Sequence, residues 1–279
     1  MTAIVDITYY TDPLCSWSWA FEPVWRRLRF ELGDRLSWVY RMGGMIPDWR
    51  RFSDPINDIG SSAHMGPYWL EVSRMSGMPI DPRVWQEAPP ASSYPACLAV
   101  KAAELQTKEL GERYLRRLRE AVMLERRNIA LRAVLVELAD EIAAAQRTHE
   151  GEGKALDLHA FREALDSGAA LAALREDLRD AKYRDIGRFP TLVIRGRKPG
   201  GVVLVGYRPY DALAEAIRQV TDGGSSGTSH TPTPAQYRSF WSGLTARLTD
   251  REIQEMCGSS APLVDSATHG QRAVTLRSR

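Results

Sequence analysis

The chain has 279 residues, 44% of them hydrophobic, enough to bury a sizeable core as one large domain or two smaller ones. Its 37 basic and 35 acidic side chains leave a net charge of +2, without the basic excess of a nucleic-acid binder, so no nucleic-acid partner is expected. Three widely spaced cysteines, Cys15, Cys97 and Cys257, argue against a disulfide scaffold, and five scattered histidines without ligand spacing argue against a metal site.

The first residues, Met1 to Asp6, lack the basic start and long apolar run of a secretory signal, and no later segment is apolar enough to span a membrane. A cytoplasmic protein without membrane association is therefore expected. Residues 3–10 alternate and are rich in Ile, Val and Tyr, which predicts a strand. Next comes Asp12-Pro13-Leu14-Cys15-Ser16-Trp17-Ser18-Trp19, where Cys15 falls at the first turn of a helix. Unpaired N–H groups and the positive end of the helix dipole favour a thiolate there, so Cys15 is a candidate nucleophile with a pKa expected below that of a free cysteine. From Ser18 the apolar residues Trp19, Phe21, Val24, Trp25, Leu28 and Leu32 keep helical spacing up to Gly33, and Pro23 predicts a kink or break. A second strand, Leu36 to Arg41, ends at Gly43-Gly44, and the β-α-β order predicts a parallel pair.

Residues 45–185 read as helix after helix. Examples are Leu98 to Leu105, Tyr114 to Leu124, Val134 to Ala145, and Leu158 to Leu165 with Asp157 as N-cap. Arg188-Phe189-Pro190-Thr191 opens two apolar runs, 190–196 and 202–206, joined by turn residues as a hairpin, with a proline at the strand mouth. Tyr210 to Val220 predicts a closing helix, residues 222–234 a flexible linker, and residues 235–279 a tail with two short helical pieces, Tyr237 to Leu248 and Thr249 to Cys257. After Gly258 an irregular chain is expected.

The cysteine stretch, Gly43-Gly44, Ser93-Tyr94-Pro95-Ala96-Cys97, the proline loop and Gly206-Tyr207-Arg208-Pro209-Tyr210 together resemble the DsbA-like branch of the thioredoxin superfamily, over roughly residues 3–221. The resemblance implies an α/β, thioredoxin-like fold. Residues 1–44 and 186–221 would form the thioredoxin-like domain, with 45–185 as a large helical insertion and a short helical C-terminal tail beyond. It implies that Cys15 is the nucleophile, that Phe189-Pro190 is a cis bond beside it, and that Phe189, Pro190 and Thr191 position substrate. One departure stands out: the family's second active-site cysteine is Ser18 here.

Ser18 can support a thiolate by hydrogen bonding but cannot resolve a mixed disulfide, which leaves that step to an outside thiol such as glutathione or to another cysteine. Cys97, on an apolar helix, reads as a core residue, whereas Cys257 on the tail has more freedom to reach Cys15. Trp17 is expected to contact whatever docks at Cys15, and most of the Met and Trp residues between 42 and 85 read as core. The mixed charges from Arg113 to Arg127, including Arg116 and Arg119, read as a solvated helix face. Leu248 to Ser259 resembles the first half of a helix-turn-helix, yet Ser260 to His269 carries no Lys or Arg, so the tail reads as a docking segment for the body or a partner.

Two functions of different class follow. One is a single-cysteine thiol-disulfide oxidoreductase or isomerase acting on protein or peptide thiols and disulfides, with no bound cofactor and glutathione as a co-substrate. The other is a non-catalytic adaptor of the protease-adaptor type. A glutathione-dependent isomerase or transferase of the kappa-like branch fits less well, because that branch places serine where Cys15 stands.

Overall fold

A computed structural model describes residues 4–148, 155–221, 231–245, 247–258 and 274–276. In chain order, the strand β1 (Val5–Thr11) is followed by α1 (Ser16–Ala20), α2 (Glu22–Leu32) and β2 (Leu36–Met42). The helix predicted from Ser18 to Gly33 is thus two helices. The break falls at Phe21, and Pro23 sits in the first turn of α2, where its missing N–H costs nothing. Seven helices follow: α3 (Met65–Ser76), α4 (Val84–Glu87), α5 (Tyr94–Glu104), α6 (Lys108–Leu124), α7 (Arg132–Thr148), α8 (Leu158–Asp166) and α9 (Ala169–Tyr183). Asp157 caps α8 by accepting from the His159 and Ala160 amides. Then come β3 (Thr191–Gly196), β4 (Gly201–Val205), α10 (Tyr210–Val220), α11 (Pro234–Trp241), α12 (Asp250–Cys257) and β5 (Val274–Leu276).

The sheet order is β2-β1-β3-β4-β5, with β1 and β2 parallel and the other pairs antiparallel. This arrangement, with helices α3–α9 inserted between β2 and β3, is a thioredoxin-like α/β fold. The register fixes where chemistry can occur. Thr11 lies opposite Met42, and Tyr10 opposite Thr191, so the loop leaving β1, the loop leaving β2 and the loop entering β3 all emerge at one end of the sheet. Cys15, Gly43-Gly44 and Pro190 are therefore neighbours by topology alone.

One continuous apolar core runs from the sheet into the inserted helices, through Tyr9, Trp25, Trp69, Val100, Leu118 and Ile194 among others. Asp177 of α9 fastens the two parts together. It is fully buried, accepts from the Met42 amide at 2.9 Å and from Arg41 at 2.6 Å, and pairs with Lys101 of α5 at 3.0 Å. Met42, Met65, Trp69, Met78 and Trp85 are buried, as expected of core residues.

The tail departs from expectation in three ways. The first tail helix stops at Trp241 rather than Leu248, with Thr233 and Gln236 forming a capping box at its start. Tyr237, Trp241, Leu248, Ile253 and Met256 make a small core of their own against Phe30 of α2, so the tail docks on the body of the molecule, one of the two roles expected of it. Cys257 ends α12, one of the helices of this packed unit, which removes the freedom the sequence suggested. Third, β5 extends the sheet beyond β4, whereas an irregular chain was expected there; residues 259–273, including the stretch compared with a recognition helix, and most of the proposed linker, 222–230, lie outside the described residues.

The run from Arg113 to Arg127 is not the solvated helix face that its mixed charges predict. Arg117, Arg126 and Arg127 face carboxylates at the surface, but Arg116 and Arg119 are 2% and 1% exposed. Arg116 pairs with Glu120 of its own helix at 2.6 Å, with Glu22 of α2 at 3.3 Å and with Glu252 of α12 at 2.6 Å. Arg119 pairs with Glu22, and Arg26 pairs with Glu22 and, at 2.7 Å, with Glu252. Three buried cations thus face three buried carboxylates, and the set joins α2, α6 and the tail.

Candidate active site

Cys15 is the N-cap of α1, with extended backbone (φ −76°, ψ 108°) that turns its side chain back over the first turn. Its sulfur accepts from the Ser18 amide at 3.4 Å and donates to the Phe189 carbonyl at 3.4 Å. The Phe189–Pro190 bond is cis. The Pro190 carbonyl accepts from the Gly206 amide at 2.7 Å, and the Thr191 hydroxyl donates to the Arg188 carbonyl at 2.7 Å, so the proline loop is closed on itself and tied to the end of β4. The structure therefore brings Cys15, Ser18, Phe189, Pro190 and Thr191 together.

Gly43 is required by this packing. A Cβ there would lie 1.9 Å from the Phe189 ring, so only glycine lets the ring sit over the loop leaving β2. Phe189, Cys15, Tyr10, Ala181 and Val193 form a compact apolar cluster, flanked by Trp17, Met45 and Ile186. Trp17 is half-buried, donates from Nε1 to the Tyr68 hydroxyl at 2.7 Å and has its ring 5.7 Å from that of Tyr207.

The expected low pKa of Cys15 is not met. Burial pushes the thiol up, and this outweighs the Ser18 hydroxyl and amide and the more distant Arg119, all of which favour the thiolate. Cys15 is only 4% exposed, and the nearby Asp12 carboxylate adds to the same upward shift. The Ser18 hydroxyl is buried and makes no hydrogen bond within ordinary geometry, leaving its donor free to turn toward the sulfur.

Asp12 was not assigned a role by sequence reasoning. It is fully buried, accepts from the Leu14 and Met45 amides at 2.9 and 2.7 Å and from the Ser93 hydroxyl at 2.8 Å, and faces the Cys97 sulfur at 3.4 Å. It thus pins the Cys15 loop to the loop leaving β2 and to the start of α5. Burial pushes its carboxyl up despite these donors. The available signal was an acid directly after a hydrophobic strand, beside a proline. Cys97 is completely buried with its thiol pushed well up by burial and by Asp12, as suits a core residue. Among the described residues, no group of three or more His, Cys, Asp and Glu is placed to hold a metal ion, and no helix is long and apolar enough to cross a membrane.

A family profile described as Thioredoxin matches residues 9–215. The chain belongs to this thioredoxin family. A relative from Halalkalibacterium halodurans named ClpXP adapter protein SpxH is 32% identical over 218 residues, covering 77% of this chain and 67% of the relative. Among solved structures, a candidate protein disulfide isomerase from Nitrosomonas europaea superimposes with a TM-score of 0.58 at 22% identity, over 78% of this chain and 96% of that one. The cytosolic disulfide reductase DsbM from Pseudomonas aeruginosa superimposes with a TM-score of 0.54 at 22% identity, over 85% of this chain and 97% of its own, and has also been solved with GSH. These two likenesses are of fold, and they fall on the thioredoxin-like architecture described above.

Proposed function

We propose that this thioredoxin-fold protein carries out thiol-disulfide exchange with one cysteine, in a reducing cytoplasm and with glutathione as the outside thiol. The observation that carries the reading is the placement of the Cys15 sulfur at a helix N-cap, between the Ser18 amide and the carbonyl that precedes a cis-proline. In the reaction, the Cys15 thiolate attacks one sulfur of a substrate disulfide, forming a mixed disulfide and releasing the other sulfur as a thiolate. Attack by glutathione thiolate on the Cys15 sulfur then releases the substrate thiol and leaves glutathione on Cys15. A second glutathione, attacking the glutathione sulfur, restores Cys15 and leaves glutathione disulfide. Ser18 takes no part in bond exchange and serves the thiolate as a polar neighbour. The proline loop orients the substrate backbone, and Trp17 contacts the docked peptide.

Incubating the protein with a disulfide-bonded peptide and measuring intact mass tests this reading. One peptide adduct on Cys15, discharged by glutathione and absent from Cys15→Ser, is expected. No adduct at any pH up to 10 would transfer the argument to the second reading, an adaptor that binds a protein partner on this same face. That reading is favoured by the similarity to a relative named as an adapter for ClpXP and by the burial of Cys15, which pushes its thiol up and disfavours the thiolate.

A further inference from the structure

Beside Trp17 lies a cavity of about 200 Å³ whose other lining residues lie outside the thiol site. Helix α3 contributes Tyr68, Glu71 and Met75, which follow one another at helical spacing along a single face, and the turn at 55–58 contributes Ile56 and Asp58. Trp17 forms the wall shared with the active site and is held there by its hydrogen bond to Tyr68.

We propose that this cavity is a side-chain subsite for a lysine or arginine of the bound peptide, close in sequence to the cysteine that meets Cys15. It rests on the reading that a peptide occupies the Cys15 face. The chemistry of the lining makes the choice. Asp58 and Glu71 are its charged members, both exposed, and neither has an ion-pair partner among the described residues. Ile56 and Met75 offer aliphatic surface for a long methylene stem, and the aromatic side chains of Trp17 and Tyr68 line the same space. A short or acidic side chain would leave the carboxylates unpaired or repelled, and a purely apolar one would have to desolvate them. Trp17, two residues from Cys15, lines this cavity, which sets the subsite next to the thiol loop, where a residue near the reactive cysteine of the peptide would meet it.

The test uses the full chain and fluorescein-labelled peptides in which serine replaces the reactive cysteine, flanked by lysine, by norleucine (the same stem without the charge) or by glutamate. Binding is followed by anisotropy at low salt. The lysine peptide is expected to bind about tenfold more tightly than the norleucine one, with the advantage shrinking as salt rises. In Asp58→Asn/Glu71→Gln the ratio between them falls toward one, and in Glu71→Lys the glutamate peptide becomes the preferred ligand. Equal affinities of the lysine and norleucine peptides, a ratio that survives in the double variant, or no binding of any peptide would each overturn the proposal. A parallel measurement of adduct formation on Cys15 with a norleucine-flanked disulfide peptide reads the thiol chemistry alone. Loss of the charge preference with adducts intact condemns the subsite, and loss of adducts with the charge preference intact condemns only the exchange reaction.

Discussion

The sulfur of Cys15 and the carbonyl oxygen of Phe189 lie 3.4 Å apart, and the thiol is the donor between them. Ionising Cys15 in this arrangement sets a full negative charge against the negative end of a carbonyl dipole, in a place that water barely reaches. The helix N-cap and the proline loop, which sequence reasoning treats as two halves of one activating device, therefore pull in opposite directions on the proton. Displacement of the Phe189 contact by an incoming substrate is what would free the sulfur to ionise.

The first prediction concerns pH. Because burial pushes the Cys15 thiol up, alkylation of Cys15 in a Cys97→Ala/Cys257→Ala background should rise with pH and reach half its maximum above the value of about 8.5 of a free cysteine. A midpoint near 7 would mean that the N-cap dominates after all. The same shift has a stability consequence. The folded state holds this proton more tightly than the unfolded chain, so the contribution is complete below the unfolded pKa and is lost as pH rises through the folded one.

Ser18→Cys is expected to change kinetics without changing the fold. Ser18 is fully buried with its amide 3.4 Å from the Cys15 sulfur, so a thiol introduced there sits within reach of a mixed disulfide on Cys15. Its attack on the Cys15 sulfur would expel the peptide as a thiol and leave an internal disulfide. Intact-mass measurements should show a long-lived peptide adduct on the natural sequence, and rapid loss of that adduct with a gain of one internal disulfide in the variant. Equal adduct lifetimes would show that the two positions do not communicate.

Gly43→Ala tests the packing that holds the proline loop. The added methyl would meet the Phe189 ring at 1.9 Å, far inside contact distance, so the loop must shift, at a cost of about 1–3 kcal/mol. Adduct formation should slow because the proline loop that orients the substrate is displaced, even though the Phe189 carbonyl then restrains the thiol less. Phe189→Ala combined with Gly43→Ala should cost less than the sum of the single changes, since the clash disappears with the ring. Strict additivity in urea unfolding would show that the two residues are not coupled.

How much of this was legible in the sequence depends on the range of the physics involved. The strand before Cys15, the helix break just before Pro23, the proline at the mouth of β3 and the cap at Asp157 are local, and their patterns show the elements that carry both halves of the candidate site. The direction of the Cys15 pKa is not legible in the sequence because the helix terminus is visible there, while the desolvating contacts of Phe189, Ala181 and Val193 come from distant segments. Arg116 and Arg119 were misplaced for the same reason. Their spacing to Glu112 and Glu120 suits an exposed face, and nothing local reveals that Glu22 and Glu252 approach from two other helices.

The last prediction concerns that buried charge set, which locks the tail to the body. Glu252 accepts from Arg26 at 2.7 Å and from Arg116 at 2.6 Å while its second oxygen accepts from the Thr249 amide at 2.7 Å, so one side chain both caps α12 and closes the network. Glu252→Gln keeps the shape but leaves Arg26, Arg116 and Arg119 opposite only Glu22 and Glu120, an uncompensated buried cation, at an expected cost of about 3–5 kcal/mol. Acid should act on the same set. Burial works to raise the Glu22 carboxyl, but Arg26, Arg119 and Arg116 outweigh it and hold it down to about 2, and Glu252 is lowered by Arg116 and Arg26 against burial in the same way. Folded pKa values below the unfolded ones mean stability that is present above about 4.5 and lost as pH falls toward about 2. Trp241 stacks over Arg26 at 4.9 Å, so its fluorescence offers a report on tail docking alongside far-ultraviolet circular dichroism of the whole fold. The natural sequence should release the tail in that acid window, and Glu252→Gln should show a shallower acid limb because one of the titrating carboxylates is gone. An unchanged acid midpoint together with a loss below about 1 kcal/mol in urea unfolding would show that the tail is held by its apolar contacts with Phe30 rather than by charge.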